Sequence, residues 1–165
     1  MNNKFILDAC CGGRMFWFDK KHPNTIYMDI REEKEGFIKE DKKYSVKPDV
    51  LGDFRDMPFK DKRFKLICFD PPHLLNYKSG IMFKKYGSLT NDYKDYLRKA
   101  FLECLRVLED YGIIEFKWND QDISIKELLS LFPIRPLFGT KTNIKKNSNT
   151  YWFCFMKIPE KDAKE

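Results

Sequence analysis

"FKLICFDPPH", residues 64–73, decides how this chain reads. Apart from Lys65, the run Phe64 to Phe69 has the length and composition of a buried strand. It stops on Asp70, then Pro71, Pro72 and His73. Two adjacent prolines donate no backbone hydrogen bonds and hold the chain extended, so the sheet ladder ends there. A carboxylate is thereby fixed at the end of a buried strand, with a rigid turn and a ring behind it.

Working outward, the same pattern of short apolar strands recurs. Lys4 to Asp8 is one, followed at once by "ACCGG", and Thr25 to Ile30 is a second. The aromatic-rich segment between them, Arg14 to Lys20, has room for about two helical turns. Pro48 to Leu51 is a third strand, leading into "GDFRDMPF". Beyond residue 73, Asn91 to Leu108 carries an amphipathic helical period (Tyr93, Tyr96, Leu97, Ala100, Phe101, Cys104, Leu105, Leu108), with Thr90, Asn91 or Asp92 able to cap it and "EDYG" closing it. Gly112 to Trp118 is the fifth strand and Ser124 to Phe132 a short helix. Arg135 to Thr140 and Tyr151 to Ile158 form a closing hairpin around the loop-like "KTNIKKNSNT". The expected fold is therefore α/β: a Rossmann-like, doubly wound, mostly parallel seven-stranded sheet with a C-terminal antiparallel β-hairpin. Residues 1–158 form one domain, and 159–165 a solvated C-terminal tail.

Composition narrows the class. Fifteen phenylalanines and 42% hydrophobic residues argue for a packed core despite 34% charged residues. No apolar run approaches the roughly 18 to 20 residues of a membrane span, and the chain enters a strand without a leader-like segment. Five cysteines, two of them adjacent at Cys10 and Cys11, suit a reducing cytoplasm better than a disulfide framework. The Cys and His spacings match no metal-ligand pattern. A net charge of +6 is compatible with a polyanionic partner and equally with simple solubility.

In open parallel sheets, ligands sit beyond the carboxyl ends of the strands, where the polar clusters of this chain fall. After Asp8, the stretch Ala9, Cys10, Gly12 and Gly13 lets backbone approach a ligand closely. Asp29, with Ile30 behind it, ends the second strand, where an acid accepts the hydroxyls of a ribose. Asp53 follows the third strand, placed to accept an exocyclic amine of adenine with Phe54 against the ring. Each acid alone is equally a turn former. Three at successive strand ends point to an adenosine-containing cofactor.

Together, "LDACCGG", "YMDIRE", "GDFRDMPF" and "FDPPH" resemble the class I S-adenosylmethionine-dependent methyltransferases. The last is similar to the (Asp/Asn/Ser)-Pro-Pro-aromatic signature of the amino-methyltransferases acting on adenine N6, cytosine N4 or glutamine N5, in the small stand-alone form found in phages and prophages. His73 stands where that signature has Tyr, Phe or Trp, and no segment is long enough for a separate target-recognition domain. The resemblance implies S-adenosylmethionine as cofactor, held by Asp8, Ala9, Cys10, Gly12, Asp29, Ile30, Asp53 and Phe54. It implies Asp70, Pro71, Pro72 and His73 as the catalytic group.

The chemistry of that group is sound. An exocyclic amine is a poor nucleophile because its lone pair is delocalised into the ring. Hydrogen bonds from the amine to the Asp70 carboxylate and the Pro71 carbonyl localise that pair and stabilise charge developing on nitrogen. His73 either stacks on the base or hydrogen-bonds it. The following loop interleaves Tyr77, Phe83 and Tyr86 with Lys78, Lys84 and Lys85, the composition that holds flipped bases or single strands, though a lid over a small substrate has the same make-up. Lys141, Lys145 and Lys146 in the last loop are placed to extend the basic track, and a solvated hairpin tip explains them equally well. The expected activity is N-methylation of a nucleic-acid base, DNA or RNA, with adenine N6 favoured. A protein or small-molecule amine, or a silent adenosine-binding module, are the alternatives.

Overall fold

Five parallel strands carry the chain out from one switch point and back: β1 (Ile6–Asp8), β2 (Thr25–Asp29), β3 (Val50–Leu51), β4 (Phe64–Phe69) and β5 (Leu108–Asn119). Two further strands, β6 (Phe138–Lys145) and β7 (Ser148–Met156), close a mixed seven-stranded sheet of order β3-β2-β1-β4-β5-β7-β6, with β7 antiparallel to both β5 and β6. This computed structural model describes residues 4–145 and 148–162. The order reverses between β1 and β4, so the carboxyl ends of these two strands open a crevice at the switch point. In register, Asp8 lies beside Cys68, which brings the "DACC" and "DPPH" turns together.

The two faces of the sheet are covered differently. On one, Leu7, Ile67, Phe69, Ile114, Phe116 and Phe155 are fully buried. Helix α2 (Tyr93–Val107) lays Leu97, Ala100, Phe101, Cys104 and Val107 against them. Phe101 stacks on Phe132 at 3.9 Å and meets Phe155 edge-on at 5.0 Å. The short helix α3 (Ile125–Ser130), capped by the Ser124 hydroxyl accepting from the Glu127 N–H, adds Leu128 to this core.

On the other face the turns of residues 10–24 stand where a doubly wound fold has a helix. Trp17 meets Tyr27 edge-on at 5.3 Å, and Phe16 lies 4.8 Å from Trp152. Arg14 to Lys20 is thus turns and not the two helical turns expected. The crossovers from β2 to β3 and from β3 to β4 also lack helices, so the fold is Rossmann-like with few helices. Bulky rings in these connections cover sheet area that helices would otherwise cover.

Three boundaries differ from expectation. Helix α2 passes straight into β5, so Glu109 to Gly112 belong to an irregular strand entry with Tyr111 at φ 62°, not to a helix stop. The hairpin strands run into "KTNIKKNSNT", pairing Lys141 with Tyr151 and Thr142 with Thr150. The loop after "DPPH" holds a six-residue helix, α1 (Ile81–Tyr86), too short to show a period. Beneath the site, Arg106 donates to the Phe59 and Met57 carbonyls and pairs with Glu103 and Asp61, pinning the loop between β3 and β4.

Candidate active site

The crevice is a cavity of about 900 Å³, roofed by α1. Its floor is backbone. Gly12 adopts φ 46°, a left-handed conformation that glycine takes without strain. Gly13 has no room for a side chain, since a Cβ there would lie 2.6 Å from a ring carbon of Tyr44. These two residues turn the chain under the cavity, and Tyr44 packs into the space that their missing side chains leave.

Two buried acids border that floor. Asp29 accepts from the Gly12 N–H at 2.8 Å through Oδ2 and from the Arg31 N–H at 3.2 Å through Oδ1, with the Arg31 guanidinium 3.6 Å away. A carboxylate has about four lone-pair sites, so each oxygen keeps capacity for a ligand hydroxyl. Asp8 is 4% exposed and accepts from the Trp17 indole N–H at 2.7 Å. Burial raises its pKa to about 7, against the lowering effect of that bond, with Asp70 and Asp29 adding like charge. Ile30 is half exposed and Phe54 buried; both line the cavity, and Tyr96 meets Phe54 edge-on at 5.4 Å.

Two residues expected to face a cofactor do not line the cavity. Asp53 is clasped by Arg55, whose Nε lies 3.0 Å from both carboxylate oxygens, and this holds the guanidinium over Tyr96. The Asp53 carboxylate is thus paired with an arginine two residues on. Ala9 is fully buried behind the floor, its N–H donating to the Cys68 carbonyl at 3.0 Å.

Beyond the switch point the cavity is lined by Asp70, Pro71, Pro72, His73, Tyr77 and Lys117. Burial raises the pKa of Asp70, countered by Lys117, whose Nζ stands 3.1 Å from Oδ2. Burial and the nearby Lys117 charge lower the pKa of His73, so its ring is neutral at pH 7; it lies edge-on to Trp118 at 6.3 Å. Tyr77 accepts from the Gln121 amide at 3.1 Å.

The roof separates the basic residues from one another. Phe83, Lys84, Lys85 and Tyr86 all line the cavity from α1. Lys84 is exposed, whereas Lys85 pairs with Asp41 at 2.6 Å and is not a free cation. Arg31 donates to the Lys84 carbonyl at 2.6 Å and to the Lys85 carbonyl, and the Tyr44 hydroxyl accepts from Gly13 and donates to Lys85. Lys78 does not line the cavity, Lys141 is exposed on β6, and Lys146 lies outside the described residues. Sequence reasoning missed Arg31, Tyr44 and Lys117. Lys117 left one trace: with Glu115 it alternates charge through an otherwise apolar strand, marking the face turned away from the core.

No family model and no curated protein matches the sequence. Solved structures do match in fold. PH0226 protein from Pyrococcus horikoshii superposes with a TM-score of 0.62 at 16% identity, over 93% of this chain and 81% of that one. The [4+2]-cyclase SpnF gives 0.60 at 10% identity, over 93% and 74%. The 1,6-didemethyltoxoflavin-N1-methyltransferase of Burkholderia thailandensis, with 1,6-didemethyltoxoflavin and S-adenosylhomocysteine bound, gives 0.53 at 12%, over 94% and 71%. Others are SAM-dependent methyltransferases. The chain therefore has the Rossmann-like fold of the class I SAM-dependent methyltransferases. A cyclase among the neighbours shows that the fold alone does not fix the reaction. Among the described residues, no helix is long and apolar enough to cross a membrane.

Proposed function

We propose that this protein is an S-adenosylmethionine-dependent N-methyltransferase acting on an exocyclic amino group of a nucleic-acid base, with adenine N6 favoured. The observation that carries the reading is that the Asp70-Pro71 turn and the Gly12/Asp29 floor face one cavity from the two sides of the switch point. The floor suits the cofactor: backbone turned by Gly12 and Gly13, an acid with free lone pairs for hydroxyls, and the apolar side chains of Ile30 and Phe54 on the cavity wall. Asp8 offers a buried carboxyl to a cationic ligand group. When bound, S-adenosylmethionine supplies an electrophilic methyl on a sulfonium.

This chain's own residues then position the acceptor. Asp70 and the Pro71 carbonyl accept the two amine hydrogens, holding the nitrogen lone pair out of the ring system and stabilising the charge it develops. Neutral His73 offers a face or an edge to the base. Lys84, at the exposed rim, attracts phosphate.

The test is labelled S-adenosylmethionine with separate duplex DNA, single-stranded DNA, RNA, protein and small-amine substrates, Asp70→Ala being the control. Label is expected in nucleic acid, faster on unpaired than paired sites because extruding a base costs a few kcal/mol. Affinity should fall with salt at a log–log slope of about −0.7 to −0.9 per phosphate neutralised. Label in no substrate, with no cofactor binding, would overturn the reading. A small-molecule amine is the second reading, favoured by the way α1 closes over the cavity through Arg31 and Tyr44.

A further inference from the structure

We propose that Lys117 is a positioning residue of the transfer site: it holds the Asp70 carboxylate ionised and turns its free oxygen toward the acceptor amine. The inference rests on the reading above and adds a residue to it. Strand β5 lies parallel to β4, with Cys68 opposite Glu115 and Phe69 opposite Phe116, so Lys117 comes beside Asp70 at the next step of the register. Lys117 alternates with Glu115 on the face turned from the core, and its stem is half buried. The ammonium is held from three sides. Asp70 Oδ2 accepts at 3.1 Å, the Phe16 ring centre is 4.8 Å away and the Trp152 ring centre 5.7 Å away. An ammonium over two ring faces is retained by their electron density and so keeps its direction. Among the described residues no hydrogen bond reaches Asp70 Oδ1. The lysine thus takes one oxygen and leaves the other to the cavity.

The need for such a cation follows from the surroundings of Asp70. Across the switch point lies Asp8, and beyond it Asp29. The Cys10 thiol sits against the Asp70 backbone and stays protonated through burial. On its own loop is His73, neutral, with Asp122 further out. Of these groups only Lys117 is a cation beside Asp70. Without it, burial alone would favour the neutral carboxylic acid, which offers the amine a weaker acceptor. An opposite charge at this range lowers a carboxyl pKa by roughly 1 to 3 units, so the lysine opposes the rise that burial causes.

The experiment reads the carboxyl directly in cofactor-free protein. Aspartate carboxyl carbons are labelled with 13C and followed by NMR through a pH titration, the Asp70 signal being identified by its loss in Asp70→Asn. Lys117→Met should move the Asp70 midpoint up by at least about one unit, and Lys117→Arg, which keeps the charge, should restore it. Lys117→Gln keeps most of the stem and serves in place of Met if that variant does not fold. In turnover with saturating cofactor, the acid limb of kcat should shift upward with the NMR midpoint in Lys117→Met, while cofactor affinity keeps its own pH dependence. An unmoved midpoint overturns the proposal even if Lys117→Met is slow, since a merely structural role lowers rate without moving the carboxyl. A moved midpoint in a protein that methylates nothing leaves the pair standing and removes the methyltransferase reading instead.

Discussion

The floor and the roof of the cavity are built by opposite means. The floor is backbone and short side chains at the ends of β1, β2 and β4, with Asp8 and Asp29 buried and each hydrogen-bonded to a partner in the surrounding turns. The roof, α1, buries none of its residues and is tied down by polar contacts from Arg31, Tyr44 and Asp41. Where pairing and packing fix a group, it is set before a ligand arrives; where exposed hydrogen bonds fix it, opening is cheap. The comparison teaches a division of labour. On the function proposed above, a cofactor would meet the fixed surface and a substrate would also meet the one that can open.

The largest effect should come at the Asp70-Pro71 turn, which faces the floor across the switch point. Asp70→Ala should lower methyl transfer by roughly 10²- to 10³-fold or more, the scale of removing one preorganised charge-stabilising group. Cofactor affinity should stay within a few fold, as expected for a residue that acts on the amine. Calorimetry beside turnover separates the two. Near-normal turnover would reduce "DPPH" to a turn. By contrast, Asp29→Ala should weaken cofactor binding by about 1.5 to 3 kcal/mol, roughly ten- to hundredfold, because the lost acceptor is charged. It should also release the Gly12 N–H and so loosen the floor itself. Binding of NAD in place of either S-adenosyl compound would break the assignment of this floor.

Asp8 gives the floor a pH signature. Its folded-state pKa of about 7 lies above the usual carboxylate value of 3.8, so the folded chain binds more protons than the unfolded chain between those two points. Stability therefore falls as pH rises through that window, and the loss is complete above about pH 7. Asp8→Asn keeps an acceptor for Trp17 and removes the titration. It should raise the melting temperature by several degrees at pH 8 and by much less at pH 4.5, a difference worth on the order of 2 to 4 kcal/mol at most. Equal effects at both pH values would mean that Asp8 is already ionised in the folded chain.

The same contrast explains what the sequence could disclose. Strand ends announce themselves, because an apolar run that stops on an acid has a physical reason to do so, and Asp8, Asp29 and Asp70 all lie on the cavity. Asp53 follows the same rule yet faces Arg55, two residues on, since a local partner of opposite charge outcompetes a distant pocket. The roof was illegible for a different reason. Six residues show no helical period, and the clamps from Arg31 and Tyr44 join segments about 40 to 55 positions apart through main-chain carbonyls that carry no side-chain signal. Lys117 falls between the two cases: its charge in an apolar strand was visible, but its partner was not.

The smallest predicted effect tests whether floor and roof are coupled at all. The Tyr44 hydroxyl touches both, accepting from the Gly13 N–H at 3.1 Å and donating to the Lys85 carbonyl at 3.1 Å. Its ring is anchored in a small separate core with Ile38 and Val46, so Tyr44→Phe should leave that packing in place. What is lost is one hydrogen bond at each end, a net of about 0.5 to 1.5 kcal/mol apiece. Amide exchange across α1 should accelerate by up to roughly tenfold, because opening of the roof then costs less. Cofactor affinity should drop only a few fold, through the Gly13 turn. Arg31→Ala should speed exchange in α1 further, since it removes two charge-assisted bonds, to the Lys84 and Lys85 carbonyls. If both variants leave α1 exchange unchanged while Lys85→Ala accelerates it, the roof is held by the ion pair to Asp41 and is independent of the floor.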